Sequence, residues 1–71
     1  MRDVPIRGDM IRLGQLLKLA GVIDVGGEAA AYLAEHGVLV NGEAESRRGR
    51  QLHPGDEVVA GEETLRIVAG G

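Results

Sequence analysis

The sequence predicts an α+β domain in which two packed helices lie against a small, mostly antiparallel sheet. Three observations predict it. Leu13, Leu16, Leu17 and Ala20 recur at i, i+3, i+4 and i+7, which is one face of a helix. A second helical stretch, residues 28–36, is bracketed by Gly27 and Gly37. Beyond Gly37 the pattern changes to short alternating runs separated by turn residues, which is the signature of hairpins.

Taken in order, residues 4–6 are expected to form a short first strand. Pro5 cannot donate to a ladder and confines that strand to a sheet edge. Gly8-Asp9 interrupts the chain before the first helix, expected over residues 12–20. Its polar face carries Gly14, Gln15 and Lys18 toward solvent, and Gly21 ends it by supplying a left-handed position. Asp24-Val25-Gly26-Gly27 reads as a turn. The second helix then places Glu28 in its first turn, where the helix dipole favours an acid. Ala29, Tyr32 and Leu33 form its inward face, and the small Ala29 allows the two helices to approach closely.

Val38-Leu39-Val40-Asn41-Gly42-Glu43-Ala44-Glu45 is the clearest local signal in the chain. Asn-Gly between alternating residues favours a type I′ hairpin turn, because both central positions need positive φ. A basic loop, residues 46–51, follows it. Leu52-His53-Pro54-Gly55-Asp56 reads as a turn into a strand at residues 57–60, and residues 61–63 turn into a last strand at 64–69.

Seventy-one residues bound the chain to one domain, 1–71, with a small core. Leucine, isoleucine and valine supply 20 of the 71 residues, which separates it from disordered chains. With no Phe or Trp and a single Tyr, the core must be aliphatic. The lack of cysteine excludes a disulfide scaffold, a thiolate metal site and a cysteine nucleophile. Residues 1–5 lead into no apolar segment of signal-peptide type, and the longest apolar run, residues 29–34, is too short to span a bilayer. A cytoplasmic location is therefore expected.

A net charge of −3 runs against the basic balance usual for nucleic-acid binders. The distribution is more informative. Arg47, Arg48 and Arg50 fall within four positions, while most carboxylates lie elsewhere in the chain. Arginine forks match phosphate oxygens, and Gly49 permits close backbone approach. The competing reading is a solvated loop whose arginines pair with Glu43 and Glu45. Tyr32 could stack on a base, but its place beside the apolar stripe favours a packed ring with the hydroxyl at the rim. His36 and His53 lie in a helix end and a turn without matched partners, so neither catalysis nor a metal site is expected. Gly26-Gly27 matches neither the phosphate-loop nor the dinucleotide fingerprint, and Ser46 has no nucleophile context.

Several blocks together resemble the S-four RNA-binding domain, also called the alpha-L motif. They are Leu13-Gly14-Gln15-Leu16-Leu17-Lys18, Gly27-Glu28-Ala29, Val38-Leu39-Val40-Asn41-Gly42, Arg47-Arg48-Gly49-Arg50 and Gly55-Asp56, and they span a motif core at residues 11–59. The first and fourth look most like the small stand-alone YaaA-like bacterial proteins. The resemblance implies a non-catalytic protein that binds structured RNA, ribosomal RNA in particular, and has a part in ribosome assembly. Ribosomal particles are the implied partner, with no cofactor and no membrane, and the protein is expected to be a monomer. It implies RNA contacts from Lys18, Glu28, Arg47, Arg48 and Arg50. Where family members often carry basic residues on the second helix, this chain has Ala30, Ala31 and Ala34.

Two other functions are compatible with parts of the sequence. The terminal Gly70-Gly71, with the Val-Asn-Gly strand and the later Gly-Asp-Glu-Val, resembles ThiS-like sulfur carriers. That fold opens with a hairpin before its helix, whereas two helices are expected here before the hairpins. The RNA-binding reading makes the Gly-Gly a frayed end without a partner. A protein-interaction adaptor would need an exposed apolar patch, for which the outer alanines of the second helix are the candidate.

Overall fold

The structure, a computed structural model, describes residues 1–70. Strands β1 (Arg2–Ile6) and β2 (Ile11–Arg12) precede helix α1 (Leu13–Leu19). A 3₁₀ turn at Gly26–Glu28 runs directly into α2 (Ala29–Glu35). Then come β3 (Val38–Val40), β4 (Glu43–Glu45), β5 (Gln51–Leu52), β6 (Glu57–Ala60) and β7 (Glu63–Ala69). The fold is mixed α+β, two helices and a mostly antiparallel sheet.

Helix α1 forms where the apolar spacing places it. Leu13, Leu16, Leu17 and Ala20 are all buried, and Gly21 follows at φ +78°, a conformation that costs glycine little. Its start is closed by Gln15, whose Oε1 accepts the Arg12 N–H at 3.1 Å. The core is aliphatic throughout, as the composition demands. Truncating Leu16 or Leu17 to Ala there would cost about 2–5 kcal/mol.

The 3₁₀ turn refines the turn expected at residues 24–27. Gly26 and Gly27 belong to a helical turn, and Glu28 secures it by accepting the N–H groups of Val25 at 3.1 Å and Asp24 at 3.3 Å. Tyr32 packs half-buried against the core, with its ring centroid 4.9 Å from that of His36.

The main sheet has the order β1-β7-β6-β3-β4. Every pairing in it is antiparallel except β1 with β7, which is parallel and sets Pro5 opposite Val68 at the sheet edge. The hairpin between β3 and β4 has Asn41 at φ +51° and Gly42 at +85°, the signs a type I′ turn requires. Its register places Val40 opposite Glu43 and Val38 opposite Glu45. Since Val38 and Val40 are buried, Glu45 is carried to the inner face beside them.

Two features differ from the sequence expectation. Gln51 and Leu52 form β5, which pairs antiparallel with β2 as a separate small ladder. Leu52, read as part of a turn, is a fully buried core residue. The Gly70 N–H donates to the Ile6 carbonyl at 2.9 Å, so this position is tied to β1 rather than frayed. Gly71 lies outside the described residues.

Candidate nucleic-acid interface

The basic loop is built onto the start of α1. The Leu13 N–H donates to the Arg50 carbonyl and the Gly14 N–H to the Arg48 carbonyl, both at 2.9 Å. These helix N–H groups have no partner inside α1, so the loop supplies the acceptors they lack. The approach is close enough to favour glycine. A Cβ at position 14 would lie 3.3 Å from the Ala29 Cβ and 3.4 Å from the Arg48 Cβ. Gly14 and Ala29 together therefore let α1, α2 and the loop meet.

From that junction opens a cleft of about 370 Å³, lined by Arg12, Gln15, Lys18 and Arg48 over a floor of Gly14, Gly26, Ala29 and Gly49. Arg12, Lys18 and Arg48 are exposed, and among the described residues no carboxylate lines the cleft. Arg12 is fixed by donating from Nη1 to the Gly49 carbonyl at 3.1 Å. A second depression shares Gln15 and Lys18 and continues to Arg7, Ile11 and Leu19. Positive charge thus runs along one edge of an otherwise acidic protein. Such a surface suits a polyanion.

The structure sorts the candidate residues. Lys18 and Arg48 come together. Arg47 and Arg50 turn instead toward Glu45, whose side chain is only 7% exposed. Its Oε2 accepts the Ser46 N–H at 3.0 Å, the Arg47 N–H at 3.1 Å and the Arg47 Nε at 3.1 Å. Its Oε1 accepts Arg47 Nη2 and Arg50 Nη1, both at 3.0 Å. The Arg47 and Arg50 guanidinium groups hold this carboxyl far below the usual carboxylate range. The pairing anticipated between arginines and glutamates is present at Glu45. Glu28 is not brought into the cleft, since its carboxylate closes its own helical turn on another side of α2.

Arg12 was missed by reading the sequence, where it stands as a flanking residue ahead of the apolar stripe. Only the pairing of β2 with β5 carries it next to the loop. Glu45 had a legible signal. A two-residue Asn-Gly turn fixes the register of the hairpin, and that register sets Glu45 opposite Val38.

The sequence matches the S4 domain over residues 4–68, nearly its whole length. The chain belongs to the S4 domain family. It is also 56% identical over 55 residues, covering 78% of both chains, to a protein described as a probable ribosome maturation protein, RlbA, of Bacillus subtilis strain 168. The S4 domain assignment agrees with the motifs from Leu13 to Asp56. No support for the sulfur-carrier alternative comes from this family or this relative.

Proposed function

We propose that this S4 domain protein is a non-catalytic RNA-binding factor that holds structured ribosomal RNA on its basic edge during ribosome assembly in the cytoplasm. The observation that carries the reading is the convergence of Arg12, Lys18 and Arg48 on one cleft without a lining carboxylate. Family membership and the likeness to a probable ribosome maturation protein support RNA as the polyanion for that cleft.

The two helices and the loop that meet at Gly14 correspond, in this reading, to the alpha-L motif, and residues 1–71 act as one RNA-binding unit. Arg48, Lys18 and Arg12 contact phosphates directly. Arg47, with its guanidinium still largely exposed, and Arg50 add charge at the rim after Glu45 has offset part of it. Glu28 serves by fixing the helix start beside the cleft.

Recognition follows backbone shape rather than sequence. A-form RNA hides its base edges in a deep groove, and a chain whose lone aromatic, Tyr32, is packed against the core has no platform for stacking bases. Crosslinking in living cells followed by sequencing of the attached RNA tests the proposal. Recovery of one ribosomal RNA region is expected. Crosslinks scattered in proportion to RNA abundance would sink it.

A further inference from the structure

We infer that Glu45 is the positioning residue of this edge, and that RNA binding depends on its negative charge although it sits among the cations that bind. The inference rests on the RNA-binding reading above. The carboxylate clamps Arg47 and Arg50 so that Arg48, between them in sequence, is presented to the cleft.

The loop is held from two sides. On one side the carbonyls of Arg48 and Arg50 accept the N–H groups of Gly14 and Leu13. On the other, Glu45 accepts five hydrogen bonds from Ser46, Arg47 and Arg50, while the Arg50 N–H donates to the Arg47 carbonyl at 3.2 Å. Among the described residues Arg48 has no ion pair, and its backbone alone is fixed. The side-chain clamp and the free arginine therefore alternate along four positions.

Two effects of removing the Glu45 charge oppose each other. Long-range electrostatics favours removal, because the edge becomes one unit more positive. That gain is limited by salt, which screens a single charge beyond about 10 Å at 0.1 M. Geometry opposes removal. An amide offers one acceptor oxygen and two donors, and its donors would face guanidinium groups that can only donate. Released from the clamp, residues 46–50 would have to be ordered again at each binding event, which weakens affinity. Positioning outweighs charge.

The test uses the full chain with a labelled A-form stem–loop RNA across a range of salt. Glu45→Gln is compared with Glu43→Gln, which changes net charge equally on the same strand but makes no side-chain hydrogen bond to the arginines. Glu45→Gln is expected to bind roughly fivefold to tenfold more weakly, with no steeper salt slope although Arg47 and Arg50 lose their counter-charge, because Arg48 disengages. Glu43→Gln should bind as wild type or slightly tighter. If Glu45→Gln binds as tightly as wild type or tighter, the inference is overturned.

Should Glu45→Gln fail to fold, Arg47→Lys decides. It keeps the charge at an exposed site but cannot form the two-pronged pair. Severalfold weaker binding supports the clamp, and wild-type binding overturns it. Arg48→Ala on the same RNA reports on the underlying reading. If that variant binds unchanged, the RNA edge is misplaced and both statements fall, whereas loss of binding with a neutral Glu45→Gln removes only this one.

Discussion

Gly14 lies directly against Arg48, with its N–H donating to the Arg48 carbonyl at 2.9 Å and its missing side chain leaving the two backbones in contact. This junction joins the fold to the proposed binding edge, because Ala29 of α2 closes the same gap from the other side.

Gly14→Val should therefore damage stability and binding together. The added methyl groups extend past a Cβ that already meets Ala29 at 3.3 Å and Arg48 at 3.4 Å, so helix and loop must part. A loss of about 1–3 kcal/mol is expected from overpacking, and it exceeds the few tenths by which valine helps a helix relative to glycine. Denaturant unfolding and RNA titration of the same variant measure both. Unchanged stability would mean the junction is looser than these distances indicate.

The cleft cations should carry most of the salt dependence. Arg12, Lys18 and Arg48, with the residual charge of the Arg47–Arg50–Glu45 cluster, amount to about four phosphates, which gives a slope of log K against log salt of roughly −2 to −4. Replacing Lys18 and Arg48 together by Ala should reduce that slope by about two. Thermal stability should hardly move, since exposed side chains outside any network contribute within about 0.5 kcal/mol. Replacing Glu62 and Glu63 by Ala should leave the slope unchanged. Filter binding at several salt concentrations distinguishes these outcomes.

Much of this was legible where local chemistry decides structure. Leu13, Leu16, Leu17 and Ala20 announce α1 because helical spacing alone separates their buried face from Lys18. Asn41-Gly42 announces its hairpin because few residues accept positive φ. The parallel pairing of β1 with β7 was not legible, since it joins residues more than sixty positions apart and leaves no periodic trace. The β2–β5 ladder is two residues long on each side, too short for alternation to show, yet it delivers Arg12 to the cleft. Of the arginine loop, the sequence showed the charge but not its division between Glu45 and the cleft.

Acid should loosen the loop through Glu45. A carboxyl held below its ordinary value of about 4.5 stabilises the fold fully above that value, and the contribution drains away as pH falls below it. The melting temperature of wild type should therefore drop as pH is lowered through and below that point. Glu45→Gln should start lower at neutral pH and show a shallower decline, because it has no proton to take up there. Other carboxylates titrate in the same range, so the difference between the two curves isolates Glu45. Parallel curves would show that the clamp contributes nothing to stability.

Asn41 should separate the fold from the binding edge. It holds φ +51° while its Nδ2 donates to Asp56 Oδ1 at 3.1 Å and its Oδ1 accepts the Glu57 N–H at 2.9 Å. Asp56 in turn accepts the His53 N–H at 2.7 Å, so one side chain ties the β3–β4 turn to the turn preceding β6. Asn41→Ala loses the bonds and also forces a β-carbon into the left-handed region, at about 1–2 kcal/mol for the backbone alone. Asn41→Gly loses the same bonds with no backbone strain. The alanine variant should thus be the less stable of the two by about that margin, with both below wild type. Neither touches the cleft, so under conditions where all three are folded their RNA affinities should agree. Equal stability of the two variants would show that the side-chain bonds, and not the backbone conformation, select asparagine here.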